Sequence, residues 1–203
     1  MSSVLVFGGT FDPVHNGHIA IATQARVAAG ADAVWFVPAS LAPLRDPPVA
    51  TPEQRLDLLL AATRGEPAVE VLDVAIRLGG ISYTAETMEA LHREHPAVEM
   101  AVLIGADVAR TIGSWHRAEE LLAAERFVVV NRTGPPPLDA SELAALGYAP
   151  PRTTLLTVTS PDISASEVRR RCAAGESLDG LVPAAVAAMI AAQRLYRLGD
   201  DGA

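Results

Sequence analysis

The segment Gly8-Gly9-Thr10-Phe11-Asp12-Pro13-Val14-His15-Asn16-Gly17-His18 gathers the residue types that hold an anion. It leads out of the apolar run Val4–Phe7 and into a stretch of helical spacing that begins near Gly17 or His18. A helix starting there turns free N–H groups and the positive end of its dipole toward one point, which favours a phosphate. Gly8 and Gly9 let the backbone approach a ligand closely and adopt positive φ, and His15 and His18 add hydrogen bonds to the same anion. A glycine pair after a strand is, by itself, equally an ordinary tight turn, and a lone histidine is usually structural. The complete order of strand, Gly-Gly-Thr-Phe-Asp-Pro, His-Asn-Gly-His and helix is rarely produced by chance. Asp12 reads either as the residue that orients the loop or as an Asx turn without catalytic duty.

A second anion-compatible run lies near the other end of the chain, in Pro161-Asp162-Ile163-Ser164-Ala165-Ser166-Glu167-Val168-Arg169. It follows a β-rich run and opens a helix, with Ser164 or Asp162 as the natural N-cap. Capping alone explains one serine and Glu167. The middle of the chain carries Gly80-Ile81-Ser82-Tyr83-Thr84, Leu103-Ile104-Gly105-Ala106-Asp107 and, eight residues after Asp107, Trp115. An isolated tryptophan is more often core packing than a ligand platform.

These residues need a scaffold, and the hydrophobic pattern supplies one. Short, continuously apolar runs recur at Val4–Phe7, Val34–Val37, Val69–Leu72, Met100–Ile104, Phe127–Val130 and Leu155–Val158, as strands require when helices cover both faces of their sheet. Between them lie helical candidates at His18–Ala29, Pro52–Arg64, Thr84–Glu94, Arg117–Ala124, Ser164–Ala173 and Ala184–Leu195. The alternation predicts an α/β fold, a doubly wound parallel sheet with right-handed crossovers and a small C-terminal helical part, with ligands at the carboxyl ends of the strands. Ala39–Ala50, with three prolines, and Gly134–Asp139, with three in succession, read as loops.

Length and composition set the bounds. The 203 residues fit one domain spanning 1–203. The longest apolar stretch, Leu181–Ala192, contains Pro183 and falls short of the roughly 20 residues a bilayer span needs, so no membrane association is expected. No export signal is recognisable at the N-terminus, which points to the cytoplasm. A net charge of −8 argues against long nucleic acid as a partner. With Cys172 alone there is no internal disulfide and no cysteine metal cluster, and Cys172 reads as an ordinary helical thiol. The histidines and acids show no metal-ligand spacing outside His15 and His18, which look like phosphate binders.

The first segment resembles the GxFDPxHxGH signature of the nucleotidyltransferase superfamily, whose HxGH element is similar to the HIGH motif of class I aminoacyl-tRNA synthetases. The resemblance implies a Rossmann-like nucleotidyltransferase fold. It further implies that Gly8, Gly9, Thr10, Phe11 and Gly17 border ATP while His15 and His18 stabilise charge on its phosphates, without a side-chain nucleophile. The C-terminal run resembles the superfamily's ISSTxIR element, with Ala165 and Ser166 in place of its second Ser and its Thr. The resemblance gives Ile163, Ser164 and Ser166 to the triphosphate site and Arg169 to the β- and γ-phosphates. Arg170 and Arg171 read as solvent-facing helix residues.

Gly80–Thr87 is similar to the SYTxxT element of the bacterial nicotinate-nucleotide adenylyltransferases, which implies that backbone amides around Tyr83 and Thr84 receive a nicotinate carboxylate. Gly105 and Asp107 resemble that family's IGxD strand end, and Trp115 stands where the family stacks a tryptophan on the pyridine ring. Phe127–Gly134 is similar to the strand and RxG turn that border adenine, and Val182–Arg197 to the closing helix. The family's PHK or PHR loop appears here as Pro43-Leu44-Arg45, so Arg45 keeps the positive charge while Leu44 replaces the histidine. The implied reaction joins the adenylyl group of ATP, with Mg2+ delivered by ATP, to nicotinate mononucleotide. Nicotinamide mononucleotide or phosphopantetheine as acceptor, and a catalytically weak ATP-binding regulator, are the alternatives. A homo-oligomer stays open.

Overall fold

The computed structural model describes residues 2–43, 46–132 and 136–197. Six strands form one parallel sheet: β1 Ser3–Gly9, β2 Ala33–Pro38, β3 Val69–Val71, β4 Glu99–Gly105, β5 Arg126–Asn131 and β6 Thr153–Thr157. Their spatial order is β3-β2-β1-β4-β5-β6, and every neighbouring pair runs parallel. The order reverses between β1 and β4, so the carboxyl ends of those two strands flank the crevice where a doubly wound sheet takes its ligand.

Alternation along β1 explains why the sheet is apolar on both sides. Leu5 and Phe7 pack into one core with residues of α1 Asn16–Ala29, α2 Pro52–Ala62, α8 Ala165–Ala174 and α9 Ala184–Gln193. Val4 and Val6 face the other core, built with residues of α3 Val74–Leu78, α4 Thr84–Glu94, α6 Ala118–Ala124 and α7 Ala140–Ala145. Successive strand residues point to opposite faces, so a strand buried on both faces reads as one apolar run.

All six anticipated strands and all six anticipated helices are present within a few residues of their expected ends. Local chemistry sets those ends. Thr51 caps α2 with a reciprocal box to Gln54, and Pro52 occupies the first turn. Gly30 and Gly175 close α1 and α8 in the left-handed region. The short helices α3, α5 Ala106–Ala109 and α7, and the 3₁₀ turn Ile112–Ser114, were not expected, because three to six residues are too few to show a 3.6-residue period. No described helix is long and apolar enough to cross a membrane.

Candidate active site

The carboxyl end of β1 runs into α1 through Thr10–Val14, and the geometry there departs from the sequence expectation in one respect. Gly8 and Gly9 lie within the strand, and neither has positive φ; the left-handed residue is Phe11, at φ 50°. Gly9 is required for space, because a Cβ there would sit 2.8 Å from Cζ of Phe11. The phenyl ring of Phe11, 2% exposed, folds back across the strand end and meets Phe7, Phe36 and His18 edge-on or tilted. A ring packed on the glycine thus holds the loop's sharp bend, and Phe11 carries the backbone strain that the sequence alone placed on the glycines.

α1 starts one or two residues earlier than the pattern suggests, at Asn16, with His15 as its N-cap. The amide of Asn16 donates to Leu181 O at 2.8 Å, and its side chain donates to Gly180 O at 2.9 Å, fixing the helix start to the approach of α9. The His15 and His18 rings stack with centroids 3.6 Å apart. The N–H of His15 donates to Nδ1 of His18 at 3.3 Å, so neutral His18 carries its proton on Nε2 and presents that N–H as its donor. Burial lowers the pKa of His15 to about 4, with the charge of Arg132 adding to the effect. His18 is held well below the ordinary histidine value by burial, then by His15 and Arg132. Both rings are therefore neutral hydrogen-bonding groups near pH 7. Nδ1 of His15 is buried and has no partner among the described residues, a condition that a bound ligand ordinarily relieves.

The second run meets the first directly. Ser164 is the N-cap of α8, its Oγ accepting from the amide of Glu167 at 3.2 Å, which leaves the hydroxyl proton free to donate. Arg169 donates to the carbonyl of Asp12 at 2.6 Å and to Oγ of Ser166 at 3.3 Å. Ile163 is buried in the core beneath this turn, and Pro161 O lies 3.4 Å from where a Cβ on Gly17 would be. The starts of α1 and α8 therefore share one side of the crevice. Arg170 and Arg171 pair with Glu167 instead, and Arg170 also with Glu176. They form a surface network, as their sequence position suggests.

Asp12 is the hub of the loop rather than a bare Asx turn. It is 5% exposed, and its carboxylate accepts from the amides of Val49 (2.8 Å) and Ala50 (3.1 Å) and from the hydroxyl of Tyr196 (2.8 Å). Nη1 of Arg169 stands 3.8 Å from it. Burial and the facing Asp12 carboxylate hold the Tyr196 hydroxyl well above its ordinary pKa, keeping it a donor. Beside Asp12 lies a residue the sequence reading passed over, Arg55 on α2, fully buried and bonded to backbone carbonyls. Its signal was present: an arginine three and four residues before Leu58 and Leu59, on the buried stripe of its helix.

The remaining candidates line the other side of the crevice. Tyr83 caps α4, whose first-turn amides at Thr84, Ala85 and Glu86 precede the first intrahelical acceptor bond, made by Thr87 to Tyr83 O. The Tyr83 ring lies 4.4 Å from that of His116, which puts α4 next to the turn carrying Trp115. Trp115 is half-buried against the second core and donates from Nε1 to Thr111 Oγ1 at 3.0 Å. Gly105 ends β4, and a Cβ there would come within 2.5 Å of Oδ1 of Asp107. Asp107 opens α5 and pairs with Arg132 at 3.5 Å. Arg132, which follows β5, thus reaches toward both the His pair and the end of β4. Leu44, Arg45 and the Thr133-Gly134 part of the RxG turn lie outside the described residues.

Residues 6–171 match the cytidylyltransferase-like family. The chain is 37% identical to the "Probable nicotinate-nucleotide adenylyltransferase" of Herpetosiphon aurantiacus, over 97% of this chain and 99% of that one. It is 38% identical to the protein of the same name from Symbiobacterium thermophilum, over 99% and 98%. Among solved structures, a nicotinic acid mononucleotide adenylyltransferase of Plasmodium falciparum, complexed with NaAD, superposes with a TM-score of 0.78. At 16% identity over 97% of this chain and 98% of that one, it shows the shared fold.

Proposed function

This chain belongs to the nicotinate-nucleotide adenylyltransferase family of cytidylyltransferase-like enzymes, and from that premise we propose how its residues carry out the reaction. The enzyme transfers the adenylyl group of ATP to nicotinate mononucleotide and releases pyrophosphate, a step of NAD biosynthesis. A phosphate oxygen of the mononucleotide attacks the α-phosphorus of ATP, forming one P–O bond as the bond to pyrophosphate breaks. No side chain enters a covalent step. The protein's part is to position two anions and to stabilise charge as it moves onto the leaving group.

The observation that carries this reading is the neutral His15–His18 stack at the start of α1, facing the start of α8 with Arg169 fastened to the loop between them. Gly8, Gly9, Thr10, Phe11 and Gly17 shape the ATP side. Ile163 sets the α8 turn from beneath, and Ser164 and Ser166 offer hydroxyl donors. His15, His18 and Arg169 meet the phosphates. Neutral donors suit a triphosphate, because they avoid the cost of burying two adjacent cations before the anion arrives. Arg132, whose charge already reaches both rings, adds to the positive potential.

On the acceptor side, the α4 amides at Tyr83 and Thr84 take the nicotinate carboxylate, the face of Trp115 takes the pyridine ring, Gly105 and Asp107 border the ribose, and Arg45 adds charge from its loop. Mg2+ enters with ATP. Among the described residues no cluster of three or more ligating side chains exists, which suits an ion bound mainly through substrate phosphates and water. That ion would shield the phosphate charges. Residues 1–203 act as one catalytic unit in the cytoplasm, the compartment that goes with this substrate pair.

The test is pyrophosphate release from Mg-ATP with nicotinate mononucleotide, nicotinamide mononucleotide or phosphopantetheine in parallel. Release confined to the first supports the reading. Release with phosphopantetheine replaces the acceptor, and ATP binding without turnover on any of the three reduces the chain to a nucleotide-binding regulator.

A further inference from the structure

Arg55 is 0% exposed, and among the described residues it forms no salt bridge with a carboxylate. Its guanidinium is instead taken up by four backbone carbonyls: Nε donates to Ala50 O (3.2 Å), Nη1 to Thr10 O (2.7 Å) and Ala39 O (2.6 Å), and Nη2 to Ser40 O (2.8 Å). Burying an arginine without an ion-pair partner is costly, and only a planar fork of five donors can serve four carbonyls in fixed directions. Those carbonyls belong to three separate pieces of chain. Thr10 is in the phosphate loop, Ala39 and Ser40 open the loop after β2, and Ala50 ends that loop beside the Asp12 carboxylate.

The chain of contacts continues to the acceptor side. The amide of Ser40 donates to Oγ of Ser82 at 2.8 Å, the amide of Ser82 donates to Leu41 O at 2.8 Å, and Leu41 and Ile81 form a parallel bridge. Ser82 is followed by Tyr83, the N-cap of α4. A single side chain thus joins Thr10, one residue past β1, to the start of α4 through two intervening links. In-line transfer is sensitive to displacements near 1 Å between the reacting groups, and these links reinforce the backbone bond from the amide of Ala39 to Gly9 O (2.9 Å) that ties the same two segments together.

We propose that Arg55 is a positioning residue that sets the acceptor-binding turn in register with the phosphate loop, acting through Ser40 and Ser82. The inference rests on the reaction assigned above. Its experiment uses Arg55→Lys, Ser82→Ala and Ser82→Thr in the full chain, with two readouts. The first is steady-state kinetics together with binding of a non-hydrolysable ATP analogue. The second is amide hydrogen exchange, which needs no turnover.

Arg55→Lys is expected to lower kcat by at least about tenfold and to raise the KM for the acceptor, with analogue affinity within about threefold of the parent. Its amides at 39–41 and 82 should exchange about tenfold faster, while those of β4 are unchanged. Ser82→Ala should raise the acceptor KM several-fold, and Ser82→Thr should restore it. Unchanged exchange at 39–41 and 82 with parental kcat overturns the proposal. So does faster exchange everywhere with unaltered kcat and KM, the mark of a purely structural arginine. Should Arg55→Lys fail to fold, parental kinetics in Ser82→Ala decide against the link. A parent enzyme that does not use nicotinate mononucleotide defeats the reaction assignment, and the exchange comparison then decides the proposal alone.

Discussion

On the phosphate side of the crevice the connections are buried and multiple, whereas on the acceptor side they are half-exposed and few. Asp12 and Arg55 are 5% and 0% exposed, and their side chains take part in seven hydrogen bonds, six of them with segments distant in sequence. Trp115, by contrast, has its indole N–H tied only to Thr111, and Tyr83 touches His116 ring to ring. The difference separates two demands. Charge stabilisation requires donors fixed against reorganisation, which buried networks provide, while choice of acceptor needs surfaces of the right shape near an amide cluster, and those tolerate looser support.

The severest test of that division is His18→Ala. Loss of one preorganised donor should lower kcat by about a thousandfold, or roughly 4 kcal/mol of barrier, with the circular dichroism of the parent. Kinetics that match the parent would break the assignment of His18 and with it the phosphate half.

A change of pH probes the same half through stability. Free histidine binds its proton below 6.5, whereas folded His15 does so only below about 4. Between those values the unfolded chain takes up a proton that the folded chain refuses, so stability is full above 6.5 and falls as pH drops toward 4. The loss reaches about 3 kcal/mol for His15 alone at the lower end. Denaturant midpoints in the parent and His15→Gln should converge at acid pH, and a difference independent of pH would contradict the buried neutral ring.

Tyr196→Phe removes one donor to the buried Asp12 carboxylate and should cost about 2 kcal/mol in urea unfolding. A cost below about 0.5 kcal/mol would mean that the C-terminal tether adds nothing to the hub. The smallest effect belongs to the acceptor side. Trp115→Ala should raise the KM for nicotinate mononucleotide about tenfold while leaving ATP affinity close to the parent. A fall in ATP affinity instead would blur the boundary between the halves.

The six strands, the six longer helices, the parallel doubly wound class and the loops that bear the chemistry were all readable from the chain, because they depend on local periodicity and on turn and cap residues. The joining of Ser166 and Arg169 to the His15–His18 loop could be anticipated only through resemblance, since no local pattern relates residues some 150 positions apart. Three things were decided by the tertiary structure. The strain in the phosphate loop falls on Phe11 rather than on Gly8 or Gly9, because the phenyl ring needs the space that Gly9 leaves empty. Asp12 became a hub because β1, the end of the loop after β2, and Tyr196 converge there. Arg55, an unremarked helical residue in the sequence, came to hold three chain segments. Sequence patterns report which face of an element is apolar; they do not report which carbonyls will lie within reach of a buried guanidinium, and that geometry exists only once the segments have packed.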